Sequence, residues 1–164
     1  MTRRTLLALL TSLTLSSFAH AEEHVKPKPI PVVTSAMSYG VSLTSGAPLP
    51  PTIIHGFGLV VPLGNGWSYY GEVAMATSLA EFHPALQVIT GPTRRLNDHL
   101  NIGVSGMYKV VPTSEGSTYI IGLSVAPILP TSFGSISFPC GVGYNVSARD
   151  PSVVCNIKAA VRLP

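Results

Sequence analysis

The chain has 164 residues, of which 46% are hydrophobic and only 10% charged, with 15 glycines, 15 prolines and two cysteines. That length fits one domain. A soluble domain carries about 25% charged residues, so this chain has little with which to coat itself in water, and collagen, coiled coil and charge-rich disorder are excluded.

Arg3 and Arg4 precede an apolar stretch from Thr5 to Leu15, and Ala19-His20-Ala21 has the small-x-small form of a cleavage site. Residues 1–21 therefore read as a secretory signal peptide. Thr2-Arg3-Arg4-Thr5-Leu6-Leu7 also resembles a twin-arginine motif, so the export route stays open. Without this segment 143 residues remain, and the net charge falls from +3 to +1, because two basic and no acidic residues leave with it. Such a balance gives no support to a nucleic-acid partner. The apolar stretch falls short of the roughly 20 residues of a spanning helix and no later segment supplies them, so any membrane crossing must use strands. Residues 22–31, Glu22 to Pro31, are Pro-rich and charged and read as a flexible lead-in.

From residue 32 onward the apolar period is two rather than 3.6. Eight runs follow, at 32–44, 52–63, 67–79, 84–95, 98–111, 117–127, 132–146 and 152–163. Ordinary strands have about five or six residues, whereas a tilted strand crossing a bilayer needs about 9–11. In the first run Val33, Met37, Tyr39, Val41 and Leu43 oppose Thr34, Ala36, Ser38, Gly40 and Ser42. The third puts Glu72 on the side of Ser68, Ala74, Ala76 and Ser78. In the fifth, Leu100, Ile102, Val104, Tyr108 and Val110 share a face opposite His99, Asn101, Gly103, Ser105 and Lys109. The seventh sets Ile136, Phe138, Cys140, Val142, Tyr144 and Val146 against Ser135, Ser137, Gly141, Gly143 and Asn145. The eighth sets Val153, Cys155, Ile157, Ala159, Val161 and Leu163 against Ser152, Asn156, Lys158 and Arg162, with Val154 and Ala160 as exceptions. The second and fourth runs are less regular.

A soluble sheet would show the same alternation, with its polar face in water. Here the non-apolar face is mostly Gly, Ser, Ala and Asn with isolated charges, which suits the crowded interior of an eight-stranded barrel. The predicted fold is all-β: an eight-stranded antiparallel up-and-down (meander) barrel over 32–164, apolar face outward. In lipid only helices and closed barrels satisfy every backbone group, and an even strand number can close. Leu63-Gly64-Asn65-Gly66-Trp67 and Leu96-Asn97-Asp98 become tight periplasmic turns, with Trp67 and Tyr69 in an interfacial aromatic girdle. The outer loops, 45–51, 80–83, 112–116 and 147–151, are short.

In strand pattern, signal peptide and tight turns such as Pro62-Leu63-Gly64-Asn65-Gly66-Trp67, residues 32–163 resemble the small outer-membrane barrels of the OmpA and OmpX kind. The resemblance implies the bacterial outer membrane as location, membrane lipid as surroundings and the outer-membrane assembly machinery as a partner. Such proteins usually end in an aromatic residue, whereas this chain ends Val161-Arg162-Leu163-Pro164.

Glu72 and Lys158 each lie about five residues from the periplasmic end of their runs, so they are predicted to pair across the lumen, with Lys109 and Arg162 as further inward charges nearer the rims. A buried charge left unpaired is costly. Cys140 and Cys155 share the apolar face of neighbouring runs in an oxidising compartment, which predicts a disulfide. The remaining histidines, His24, His55, His83 and His99, lack metal-ligand spacing. His55 faces the apolar side but has Phe57, not a serine, two residues on, and Glu81 with His83 has no obvious nucleophile. No catalytic, metal or cofactor site is predicted. Three functions are open: an outer-membrane barrel with a structural or small-solute role and a plugged or narrow polar interior; a soluble exported barrel or sandwich binding a small ligand or protein; and a barrel lipid hydrolase. The first requires Ile102, Val104, Val142 and Ile157 on the outside of a closed barrel; the second requires them in a packed interior.

Overall fold

A computed structural model describes residues 28–80, 82, 84–113 and 116–164. The expected signal peptide, residues 22–27 of the lead-in, Glu81 and His83 lie outside the described residues. These hold nine antiparallel strands: β1 (Ile30–Ser42), β2 (Pro48–Gly64), β3 (Trp67–Ser78), β4 (Pro84–Arg95), β5 (Asn101–Thr113), β6 (Gly116–Pro130), β7 (Gly134–Ser137), β8 (Cys140–Asn145) and β9 (Asp150–Arg162). Each pairs with its chain neighbour up to β6, and β9 pairs with β1, closing the sheet.

The strands β7 and β8 are two halves of one stave. Ile128 faces Ser137 and Val125 faces Cys140 in one unbroken register, and on the other side Ser137 faces Lys158 and Cys140 faces Cys155. Pro139 lacks an N–H and interrupts the ladder. Flanking bonds bridge the gap: Phe138 N donates to Pro127 O at 3.1 Å and Asn156 N to Pro139 O at 2.8 Å. The fold is thus a closed meander of eight staves, and the predicted run 132–146 is split by its proline. Several other bounds differ from expectation: β2 begins at Pro48, within the expected 45–51 loop, β6 runs on to Pro130, and β9 begins at Asp150, within the expected 147–151 loop. The first strand begins at Ile30, and β5 begins at Asn101 because His99 belongs to the preceding turn, its N–H held by Asn97 Oδ1 at 2.8 Å.

Following paired residues once around leads from Arg162 through Val32, Gly58, Glu72, Ile89, Met107, Gly122 and Gly143 to Ser152, a displacement of ten residues on the starting strand. A stagger of that size over eight staves corresponds to a strand tilt of about 40°. A 12-residue strand at that tilt rises about 30 Å, the thickness of a bilayer's hydrocarbon core.

The exposure is inverted relative to a soluble protein. Ile102 is 40% exposed, Val104 49%, and Val142 and Ile157 each 57%, while Glu72 is 3% exposed. The buried apolar residues are mostly alanines, with Ala36, Ile54, Ala74, Ala76 and Ala85 in contact and Val111 against them. Trp67 and Tyr69 face outward near one rim. Toward the other, the outward aromatics are Tyr39, Tyr108, Tyr119 and Tyr144, with the Tyr108 and Tyr119 rings stacked at 6.1 Å. Such rings at both levels match the girdles of a membrane barrel. Asn65 and Gly66 both have positive φ, 51° and 77°, in a two-residue loop between the paired Gly64 and Trp67. A twist-compatible hairpin requires that backbone.

Candidate functional site

The polar centre lies on the bore side of β1, β3 and β9. Glu72 accepts hydrogen bonds from Thr34 Oγ1 and Tyr70 O–H, and its Oε2 forms an ion pair with Lys158 Nζ. Lys158 Nζ also donates to Tyr70 Oη at 3.0 Å and lies 4.8 Å from the centre of that ring. The strand tilt explains how remote positions meet. In the ladder Lys158 faces Ala36, which leads through Ile54 to Ala76, four residues beyond Glu72. Three steps between staves at about 1.25 residues each remove nearly all of that offset.

Gly56 and Gly58 make room for this centre. A Cβ at Gly56 would lie 2.5 Å from Glu72 Oε1 and 2.9 Å from Thr34 Oγ1; one at Gly58 would lie 3.0 Å from the Tyr70 ring. Their alternation around Phe57, which is outward and exposed, therefore records a need for space inside. Thr34 and Tyr70 were not identified by sequence reasoning. The inward pair Tyr70 and Glu72, with Gly58 opposite Glu72 and Gly56 two residues before Gly58, is the signal that could have found them.

Lys109 lies on the inward face of β5, facing Gln87 in the ladder, and forms no ion pair among the described residues. Arg162 ends β9 at the rim shared by Asn65-Gly66, with its backbone N–H bonded to Phe133 O at 2.9 Å. Cys140 and Cys155 face each other on the outward side and are joined by a disulfide. At the opposite rim Ser42 Oγ donates to Asp150 Oδ1 at 2.9 Å, and hydrogen bonds from Thr44 and Ser42 hold this carboxyl below the usual carboxylate range. Outside, Arg94 sits over Trp67 at 5.1 Å.

Beside the polar centre the bore contains a cavity of about 310 Å³. It reaches the rim at Ile30, Pro62, Pro130 and Arg162, and extends past Ala36 and Ile54 of the alanine-rich core to Gly122, Gly143 and Val154. Lys109, Val111 and Ser152, nearer the opposite rim, do not line it. Its lining combines large apolar side chains, Val32, Val60, Ile89, Met107 and Ile128, with small residues gathered on β5 and β6, Gly103, Ser105, Gly122, Ser124 and Ala126. This corrects the expectation of a bore filled mainly by small and polar groups. Val60 and Ile89 come from the second and fourth runs, whose alternation is the least regular, and Val32 and Met107 from the first and fifth. Val154 and Ala160, exceptions in the eighth run, also line the bore. Asn101 Oδ1 and Asn156 Oδ1 are buried without a hydrogen-bond partner among the described residues, and both asparagines line the cavity.

The ladder places Ser35 opposite His55 on the outer wall, a juxtaposition that the search for a serine two residues from His55 could not see. No side-chain hydrogen bond joins them among the described residues.

With eight staves, a closed meander and an apolar exterior in view, the architecture is settled. This is a small, closed eight-stranded antiparallel meander barrel. Two structures of Ail, the attachment invasion locus protein of Yersinia pestis, are similar in fold. They cover 85% of this chain and 100% of their own, at 13% identity and TM-score 0.47, and at 14% and 0.43 for Ail in complex with the heparin analogue sucrose octasulfate. A structure from the de novo design of transmembrane β-barrels covers 84% of this chain and 100% of its own, at 14% identity and TM-score 0.46. No protein-family model and no curated protein matches the chain.

Proposed function

We propose that this barrel resides in the bacterial outer membrane, inserted there by the assembly machinery, and serves a structural or small-solute role without forming an open pore. The observation that carries this reading is the inverted exposure: apolar side chains such as Val142 and Ile157 cover the outside, while Glu72 and Lys158 are enclosed. In water that surface would be an association liability; in lipid it is the required solvent-facing face. The soluble alternative needs Ile102 and Val104 packed inside, and both are exposed. The narrow bore, occupied at mid-height by the Glu72–Lys158 centre and at one end by alanines, supports a non-conducting interior.

Fractionation and gel mobility test the reading. The mature chain is expected in the outer-membrane fraction, to need detergent for extraction, and to shift mobility when heated before electrophoresis. In a planar bilayer it is expected to give no stable open-pore conductance. Recovery as a monomer in detergent-free buffer would refute the membrane assignment, and steady conductance would refute the closed interior.

A further inference from the structure

We propose that the bore cavity binds one free single-chain anionic amphiphile, with its alkyl chain in the bore and its head at the rim beside Arg162. This rests on the membrane-barrel reading and gives its small-solute role a ligand class. The volume, about 310 Å³, lies at the lower end of small-molecule sites and equals that of about ten waters. Water is a poor occupant of most of it. A trapped water needs two to four polar partners; Val32, Val60, Ile89, Met107 and Ile128 offer none, and only the stretches beside Gln87, Asn101, Ser105, Ser124 and Asn156 can hold one.

The shape fits a chain rather than a broad ring system. Large apolar side chains from β1, β2, β4, β5 and β6 are interspersed with Gly, Ser and Ala on β5 to β8, leaving a space along the bore that runs inward from one rim past Ala36 and Ile54 to Gly143 and Val154. Lys158 does not present its charge to the occupant. Its ammonium is turned to Glu72 and Tyr70, so its methylene stem faces the cavity. Asn101 and Asn156 keep room for one water each beside the chain, which would satisfy their orphaned carbonyls.

Charge at the mouth selects the head group. Arg95, at the same rim, is paired with Asp98, whereas Arg162 lines the cavity mouth and forms no ion pair among the described residues. An anionic head placed there keeps its hydration while the tail leaves water. A lipid with two chains and a bulky head does not fit a single bore of this volume.

The test uses the full mature chain in phosphatidylcholine nanodiscs, titrated calorimetrically with dodecanoate, dodecyltrimethylammonium and lysophosphatidylcholine, with empty nanodiscs as reference. Saturable one-to-one binding of dodecanoate above the empty-disc signal is expected, with weaker binding of the other two. Ala126→Phe, which fills the bore, should weaken dodecanoate by more than about tenfold, and Ser124→Leu should do the same if the first variant folds poorly. Arg162→Gln should weaken it by about three- to fivefold and leave dodecyltrimethylammonium unchanged or tighter. Uptake equal to that of empty discs overturns the proposal, as does undiminished binding by a bore-filled variant that keeps heat-modifiable mobility. Equal affinity for both head charges overturns the role of Arg162. A chain that inserts but does not bind leaves the membrane reading standing, whereas one that fails to enter discs removes both.

Discussion

Removing either half of the Glu72–Lys158 pair should destabilise the barrel, and by unequal amounts. The Glu72 side chain is fully buried and does not line the cavity, whereas Lys158 retains 11% exposure and does. Lys158→Met strands a carboxylate with only Thr34 and Tyr70 as donors and no access to water. Breaking a buried pair in this way costs about 3–5 kcal/mol, or about two to almost four powers of ten in the folding equilibrium. Glu72→Gln keeps an oxygen for Thr34, and the orphaned ammonium can swing into the bore and hydrate while still reaching Tyr70 Oη. Its cost should be about 1–3 kcal/mol. The double variant Glu72→Gln/Lys158→Met contains no buried charge at this centre and should recover at least about 2 kcal/mol relative to the sum of the singles. Guanidinium unfolding from phospholipid vesicles, followed by the fluorescence of Trp67, the single tryptophan, measures all three. Additive losses in the double variant, or a Lys158→Met loss below that of Glu72→Gln, would refute the asymmetric burial on which this reasoning depends.

Gly56→Ala should cost about 1–3 kcal/mol by overpacking, since its Cβ would displace Glu72 Oε1 and Thr34 Oγ1, and the same unfolding assay reads it. Cys140→Ala/Cys155→Ala should cost up to about 3 kcal/mol for a loop of 15 residues, with loss of the difference between reducing and non-reducing gel mobility in the unfolded chain. Val104→Arg, on the outer wall, should cost about 2–4 kcal/mol in vesicles, and near-zero cost would argue against lipid contact. Asp150, outside the apolar band, has its folded carboxyl pKa lowered by Thr44 and Ser42. Its contribution to stability is therefore present above the unfolded pKa and lost as pH falls through the folded one. Ser42→Ala should raise the Asp150 titration midpoint in an NMR pH series, making the acid-side loss smaller and complete at a higher pH.

Much of the wall was legible along the chain because side-chain direction in a strand has period two. The first, fifth and eighth runs showed their outward faces as simple alternation. In the second and fourth runs the alternation broke down, because the inward side there is also apolar: Ile54, Val60 and Ile89 project into a bore expected to be lined by smaller groups. The split at Phe138-Pro139 was readable from the proline, but its harmlessness was not, since the register on both sides is preserved by β6 and β9 rather than by the strand itself. In the polar centre, Glu72 and Lys158 stood out as charges on a small-residue face, whereas Thr34 and Tyr70 look like ordinary strand residues.

Local chemistry alone determined the strands, the tight Asn65-Gly66 hairpin and the outward direction of the oily side chains, because each depends on residues adjacent in sequence. Tertiary structure decided the rest. Which residues share a height in the bore depends on a ten-residue stagger accumulated around the closed sheet, a sum over every strand pairing that no single segment carries. That stagger brings Lys158 to Glu72, and the small residues gathered on β5 to β8 leave the cavity beside them.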